Sequence, residues 1–185
     1  PLLREFCGNA SSIHAAGRRA RAAVDDSRER LASLLGTKAH EIIFTSGGTE
    51  ACNLAILGLA RAHAPRGRHI ITSAVEHHAV LHACESLKHY EGFDLTILPV
   101  DSLGRVDPED LDSAMRPDTV LVSVMHANNE TGTIQPVEEL AAICTRAHRD
   151  SVLRSKVLIF ENVEGSDLSV VGNLTDTREK IAFAL

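Results

Sequence analysis

Short β-branched runs alternating with stretches of helical apolar spacing constrain this chain more than any other feature. Residues 41–45 (EIIFT), 69–72 (HIIT), 95–100 (LTILPV) and 119–125 (TVLVSVM) read as strands, the last β-branched enough to be a buried one. Helical patterns occupy 15–35, the stretch that follows the turn 46–49 through residue 62, 77–89, 108–115 and 136–148. In the first of these Ala20, Val24, Leu31, Leu34 and Leu35 recur at helical spacing, and Gly36 supplies a stop. Asp107 followed by Pro108 reads as an N-cap and a first helical position. This order predicts an α/β fold, a mostly parallel sheet in three layers with helices on both faces. Such sheets bind ligands beyond the carboxyl ends of their strands. The loops to inspect are therefore 46–53, 75–78 and 126–132.

Composition narrows the chemistry. Aromatic residues make up only 3% of the 185, with no Trp, so the core must be Ala, Val, Leu and Ile. A platform of stacked aromatics for single-stranded nucleic acid is excluded. The net charge of −6 argues the same way, because the one Arg-rich stretch, 18–30, also holds Asp25, Asp26 and Glu29 and reads as a solvated helix face. Cys7, Cys52, Cys84 and Cys144 form no CxxC pair, which removes zinc ribbons and dithiol redox motifs and leaves buried reduced thiols. No apolar run reaches the roughly 18 residues of a membrane helix. The expectation is a cytoplasmic protein without nucleic-acid or membrane partners.

The first loop, Thr45-Ser46-Gly47-Gly48-Thr49-Glu50, sits where a strand hands over to a helix. Paired glycines let backbone N–H groups approach an anion, the helix start adds partial positive charge, and the Thr49 hydroxyl can donate. The same residues also suit an ordinary turn with Thr49 as N-cap. It is not a Walker loop, since no Gly-Lys-Ser/Thr follows. In the second loop, His77 offers a flat ring for stacking on a planar ligand. His78 and His82 share a helix face at a spacing that suits a divalent metal or simple surface or helix-capping positions, and with no obvious third ligand nearby except Cys84, Glu85 or a distant residue no metal site is assigned. The third loop, His126-Ala127-Asn128-Asn129-Glu130-Thr131-Gly132, packs amides, a carboxylate and a glycine into a tight bend.

Four segments in this order, Gly8-Asn9-Ala10-Ser11-Ser12-Ile13-His14, 44–53, Thr72-Ser73-Ala74-Val75-Glu76-His77 and 125–132, resemble the large domain of the cysteine desulfurases. These are pyridoxal 5′-phosphate enzymes within the class V aminotransferase group. The resemblance implies a fragment of the fold-type-I PLP-dependent transferase large domain over residues 1–150. It implies that Gly48 and Thr49 hold the cofactor phosphate, that His77 stacks on the pyridine ring, and that Asn129 hydrogen-bonds its phenolic oxygen. The implied reaction turns L-cysteine into L-alanine and passes the sulfur on as a persulfide, in a homodimer and towards a sulfur-acceptor protein of iron–sulfur cluster assembly.

No catalytic residue is assigned. The family's imine-forming lysine, its pyridine-facing aspartate and its persulfide cysteine match no residue of this sequence. Lys38, Lys88, Lys156 and Lys180 lack the expected context, and Cys52, Cys84 and Cys144 fall in predicted helices. From 151 to 185 the text changes and is similar to a fragment of the prenylated-flavin-dependent decarboxylases of the ubiquinone pathway, carried by residues 157–167 and 170–174. The reading is thus a desulfurase-like domain, 1–150, joined to an unrelated α/β fragment, 151–185, and inactive as this truncated chain. The other reading is a non-catalytic fusion that binds PLP weakly or only associates with other chains. Residues 176–185 read as a helix with Glu179 in a capping box. The sheet is expected to stay open beyond the strand that contains Val120.

Overall fold

The computed structural model describes residues 8–150 and three strands beyond them. In chain order these are α1 (Ala15–Leu35), a 3-10 turn (Ala39–Glu41), β1 (Ile42–Thr45), α2 (Gly48–His63), β2 (His69–Ser73), α3 (His78–Glu91), β3 (Asp94–Leu98), α4 (Pro108–Ala114), β4 (Thr119–Met125), α5 (Val137–Asp150), β5 (Lys156–Asn162), β6 (Ser169–Gly172) and β7 (Ile181–Ala184). They divide into two compact units, 1–42 and 43–185.

In the first unit His14 caps α1, its Nδ1 accepting from Gly17 N at 3.1 Å. Gly36, at φ 66°, ends the helix in the left-handed region that only glycine adopts without cost. The Arg-rich stretch is the solvated face expected of it, with Arg28 2.7 Å from Asp25 and Arg30 2.8 Å from Asp26. Helical spacing does not bring burial here. Ala20 and Ala32 are covered, whereas Val24, Leu34 and Leu35 are exposed. Beyond the helix, Glu41 accepts from the Thr37 hydroxyl and from Lys38 N, which holds its carboxyl below the ordinary range.

The second unit is the α/β layer. Its sheet runs β1-β7-β6-β5-β4-β2-β3. β2 pairs in parallel with β3 on one side and β4 on the other, and β4 pairs in parallel with β5. Every residue of β2 and β4 is buried. Alternation divides them: Ile70 and Leu121 face a core shared with Ile56 of α2 and Val80, Cys84 and Leu87 of α3. Ile71, Val122 and Val124 face the opposite core, with Leu111 of α4 and Leu140 and Cys144 of α5. Helices thus cover both faces, as the strand–helix alternation predicts. At the amino end of the sheet the buried His69 bridges neighbours, Nδ1 to Thr119 Oγ1 at 2.7 Å and Nε2 to Thr96 Oγ1 at 2.8 Å.

Three expectations need correction. The edge beyond β4 is not open, because β5 pairs there from Leu121↔Lys156 to Met125↔Phe160. Residues 181–184 are not helical. They pair antiparallel with β6, Val170 opposite Phe183, so ladder pairing overrides the local capping signal. β3 ends at Leu98 rather than at residue 100, since Pro99 has no N–H to continue the ladder.

Two glycines give opposite expectations. A Cβ on Gly67 would lie 2.2 Å from the carbonyl oxygen of Asp118, where the chain also donates His69 N to that oxygen. Gly67→Ala is expected to lower stability by about 1–3 kcal/mol through backbone overpacking. Gly58, inside α2 with open space around it, is the converse, and Gly58→Ala should raise stability by about 0.5–1 kcal/mol. Urea unfolding of the two variants checks both signs.

Candidate functional site

Parallel pairing of Thr72 with Ser123 brings the ends of β2 and β4 to one edge, so the loops after Ser73 and Met125 leave the sheet side by side. Two hydrogen bonds tie them. Met125 N donates to Glu76 Oε1 at 2.6 Å, and Asn128 Nδ2 donates to the Val75 carbonyl at 3.1 Å. Glu76 Oε1 also accepts from Ser73 Oγ at 2.9 Å. Its other oxygen and Ser123 Oγ are buried without a partner among the described residues. Burial pushes the Glu76 carboxyl up to about 7, against the two hydrogen bonds that pull the other way.

The third loop is a closed hairpin. Asn128 Oδ1 accepts from Glu130 N and Thr131 N, both at 2.9 Å, and Gly132, at φ 73°, returns its N–H to the Asn128 carbonyl at 2.8 Å. Gln135, buried, closes the base: it receives Val106 N on Oε1 at 2.9 Å and donates Nε2 to the Gly104 carbonyl at 2.7 Å. Asn128 is thus committed to shaping the loop. The Asn129 side chain, half-buried beside it, has no hydrogen-bond partner among the described residues.

At the start of α2 the N-cap is Gly47 in extended backbone, not Thr49. Thr49 lies inside the first turn because Gly48 already has helical geometry, and it is exposed. The Gly48 and Thr49 N–H groups have no partner among the described residues, as expected of a helix start. Glu50 turns back to accept from Ser46 Oγ at 2.6 Å and Ser46 N at 2.7 Å, which holds its carboxyl below the ordinary range. Ala51 and Cys52 in the first turns of α2 share a buried cluster with Ala79 and Val80 at the start of α3, so this helix start packs beside the helix that His77 caps.

His77 is exposed and caps α3, Nδ1 accepting from Ala79 N at 3.1 Å, which fixes the ring at the mouth of the sheet. His78 and His82 stack with ring centroids 5.3 Å apart. Among the described residues no three His, Cys, Asp or Glu side chains gather as a metal site would require. Lys88 sits exposed near the far end of α3, and Lys156 enters β5 opposite Leu121, away from the carboxyl edge. Lys180 and Cys7 lie outside the described residues. Cys52, Cys84 and Cys144 are free and buried, as read from the sequence, and burial pushes their thiols up to about 11, 12 and 12. Sequence reasoning did not single out Glu76 or Gln135. A charged or amide residue inside an otherwise loop-like stretch gives no local signal of its burial.

The fold and these loops define the class of protein. A family model described as "Aminotransferase class-V" matches residues 1–153, and the chain belongs to that family. Curated proteins that it is similar to include several named as cysteine desulfurases. It is 57% identical over 143 residues to "Cysteine desulfurase IscS" of Dictyoglomus turgidum, covering 77% of this chain and 36% of that protein. It is 55% identical over 136 residues to "Putative cysteine desulfurase IscS 1" of Bacillus subtilis, covering 74% and 36%. Among solved structures a "NIFS-LIKE PROTEIN" superposes with a TM-score of 0.79 at 35% identity, over 98% of this chain and 48% of that one. DndA from Streptomyces lividans gives 0.71 at 44% identity, over 85% and 42%. The chain therefore spans 36% of the length of these curated relatives. A second family model, "3-octaprenyl-4-hydroxybenzoate carboxy-lyase N-terminal domain", matches residues 131–185. Among the described residues no helix is long and apolar enough to cross a membrane.

The buried carboxyl sets a pH dependence. Raised from 4.5 to about 7, Glu76 holds its proton in the folded chain where the unfolded chain has lost it. Its contribution is complete at acid pH and declines by on the order of 3 kcal/mol as pH rises from about 4.5 to 7. Urea midpoints at pH 5 and pH 8 should fall more steeply for the wild type than for Glu76→Gln. Equal slopes in the two proteins would show that Glu76 does not titrate in this way.

Proposed function

We propose that residues 1–150 form the pyridoxal 5′-phosphate cradle of a cysteine desulfurase. The observation that carries this reading is that the start of α2, with two open N–H groups among the described residues, packs through Ala51 and Cys52 into the cluster that holds Ala79 and Val80 just after His77, while Glu76 and Asn128 tie the His77 turn to the hairpin of Asn129. These donor types fit a phosphorylated hydroxypyridine. A phosphate dianion is stabilised by the Gly48 and Thr49 N–H groups, the Thr49 hydroxyl and the positive end of α2. His77, immobilised by its capping bond, presents a ring face for stacking. Asn129 supplies an N–H to the phenolic oxygen, while Asn128 keeps the hairpin in shape behind it.

When bound, the cofactor supplies an electron sink for charge developing at the Cα of an amino acid. L-Cysteine as substrate, a homodimer, a cytoplasmic setting and a sulfur-acceptor protein belong to the same reading, drawn from the desulfurases this chain is similar to. The chain's own residues bind and orient. None is assigned to form an imine, to protonate the pyridine nitrogen or to attack the substrate sulfur. This favours, for the 185-residue chain by itself, reversible binding without turnover. We also read residues 151–185 as a segment of different descent joined near residue 150, which the coding DNA around that codon tests directly.

Titration of the purified chain with PLP, followed by absorbance, is expected to show weak, reversible binding. Thr49→Ala should weaken it by about tenfold, the loss of one or two charge-assisted hydrogen bonds. Borohydride treatment and peptide mapping should leave every lysine unlabelled, and L-cysteine should release no sulfide beyond the rate with free PLP. Equal affinity in the wild type and in a Thr49→Ala, His77→Ala double variant would overturn the site. A phosphopyridoxyl label on a lysine, with multiple turnovers, would overturn the inactivity.

A further inference from the structure

The site turns on how two loops without regular structure of their own keep a fixed separation. The His77 turn follows β2 and the Asn129 hairpin follows β4, and nothing in either sequence sets one against the other. We propose that Glu76 is a positioning residue for the ring site: one carboxyl oxygen, accepting from Ser73 Oγ and Met125 N, fixes the turn that carries His77 to the strand end that launches the Asn129 hairpin.

The geometry makes this clasp short and specific. Glu76 immediately precedes His77, and Met125 is the last residue of β4, so a bond of 2.6 Å between them leaves little freedom between the two loops. Glu76 is 6% exposed as a residue and its second carboxyl oxygen is buried, so water does not compete for the same donors. Asn128, donating to the Val75 carbonyl, adds a second tie one residue before Glu76, but a carboxamide at a half-exposed hairpin is the weaker one. The carboxyl accepts from the Ser73 hydroxyl and the Met125 N–H, and the titratable groups its charge reaches are the thiols of Cys52 in α2 and Cys84 in α3, which it raises further. Both thiols stay protonated, and no ion pair to Glu76 exists among the described residues, so no cation rewards its ionisation. A neutral carboxyl suits this place, and burial favours that form. Glutamine has the same length and keeps an oxygen acceptor, whereas aspartate, one methylene shorter, does not span the distance to Met125 N.

The clasp can be tested without cofactor, and its role towards the ring rests on the function proposed above. Amide exchange at Met125 is measured in the wild-type 185-residue chain, Glu76→Gln, Glu76→Asp and Glu76→Ala, with PLP affinity measured in parallel at about pH 6 and pH 8. Glu76→Asp and Glu76→Ala are expected to speed Met125 exchange and weaken PLP binding by about tenfold or more, and Glu76→Gln to stay within about threefold of wild type in both. The wild type should lose more affinity than Glu76→Gln over the same rise in pH. Variants that unfold cooperatively yet keep wild-type exchange and affinity would overturn the proposal. Equal damage in Glu76→Gln and Glu76→Ala would overturn it too, since a plain packing role would predict that. A wild-type chain that binds no PLP would refute the cofactor reading and with it the ring role, and Met125 exchange would still judge the clasp.

Discussion

The parallel pairing of β2 with β4 is the constraint on which the rest depends. Strands joined in that sense must be connected by crossovers, so each leaves the sheet at the same edge, and the segments that follow are brought together however far apart they lie in the chain. Ser73 and Met125 become neighbours for this reason. The helices that make the crossovers, α3 and α4, cover opposite faces, and the two apolar clusters divide along the alternation of Ile70 with Ile71 and of Leu121 with Val122. The site needs no scaffold beyond the one the hydrophobic effect already builds.

Much of this scaffold is legible in the amino-acid order because its signals are local. Gly36 after Leu35, Asp107 before Pro108 and the run of β4, rich in β-branched residues, each state a backbone preference that the fold leaves undisturbed. What is not legible depends on partners distant in sequence. Residues 181–184 become a strand because β6 offers a ladder. The apolar spacing of α1 gives its helical form but does not determine which of its side chains are covered. Thr49 as a cap was plausible from residue type alone, and it fails because the glycine two positions earlier takes the extended role.

The site follows the same division. Gly48, Thr49, His77 and Asn129 stand out in sequence because exposed loop positions show their chemistry directly. Glu76, Asn128 and Gln135 hold those positions, yet their roles arise from bonds to Met125, Val75, Val106 and Gly104, which lie between 29 and 53 positions away. Buried polar groups of this kind stabilise little in net terms but are costly to leave unpaired, so they fix one arrangement of the loops against its alternatives.

The closed base of the hairpin carries a consequence for how such chains can vary in length. Gln135 grips both the Val106 N–H and the Gly104 carbonyl, and Gln135 N itself bonds back to the His126 carbonyl at 2.8 Å. Adding or deleting a residue between His126 and Gln135 would break this register at once and turn Asn129 away from its edge. The turn on the far side of the same grip is held as closely: Thr133 Oγ1 donates to the Leu103 carbonyl at 2.6 Å, and Asp101 Oδ1 accepts from Leu103 N at 2.8 Å and Arg105 N at 2.9 Å. Length variation among relatives should therefore avoid both turns, leaving the ten positions from His126 to Gln135 as a segment of fixed length even where its individual residues differ.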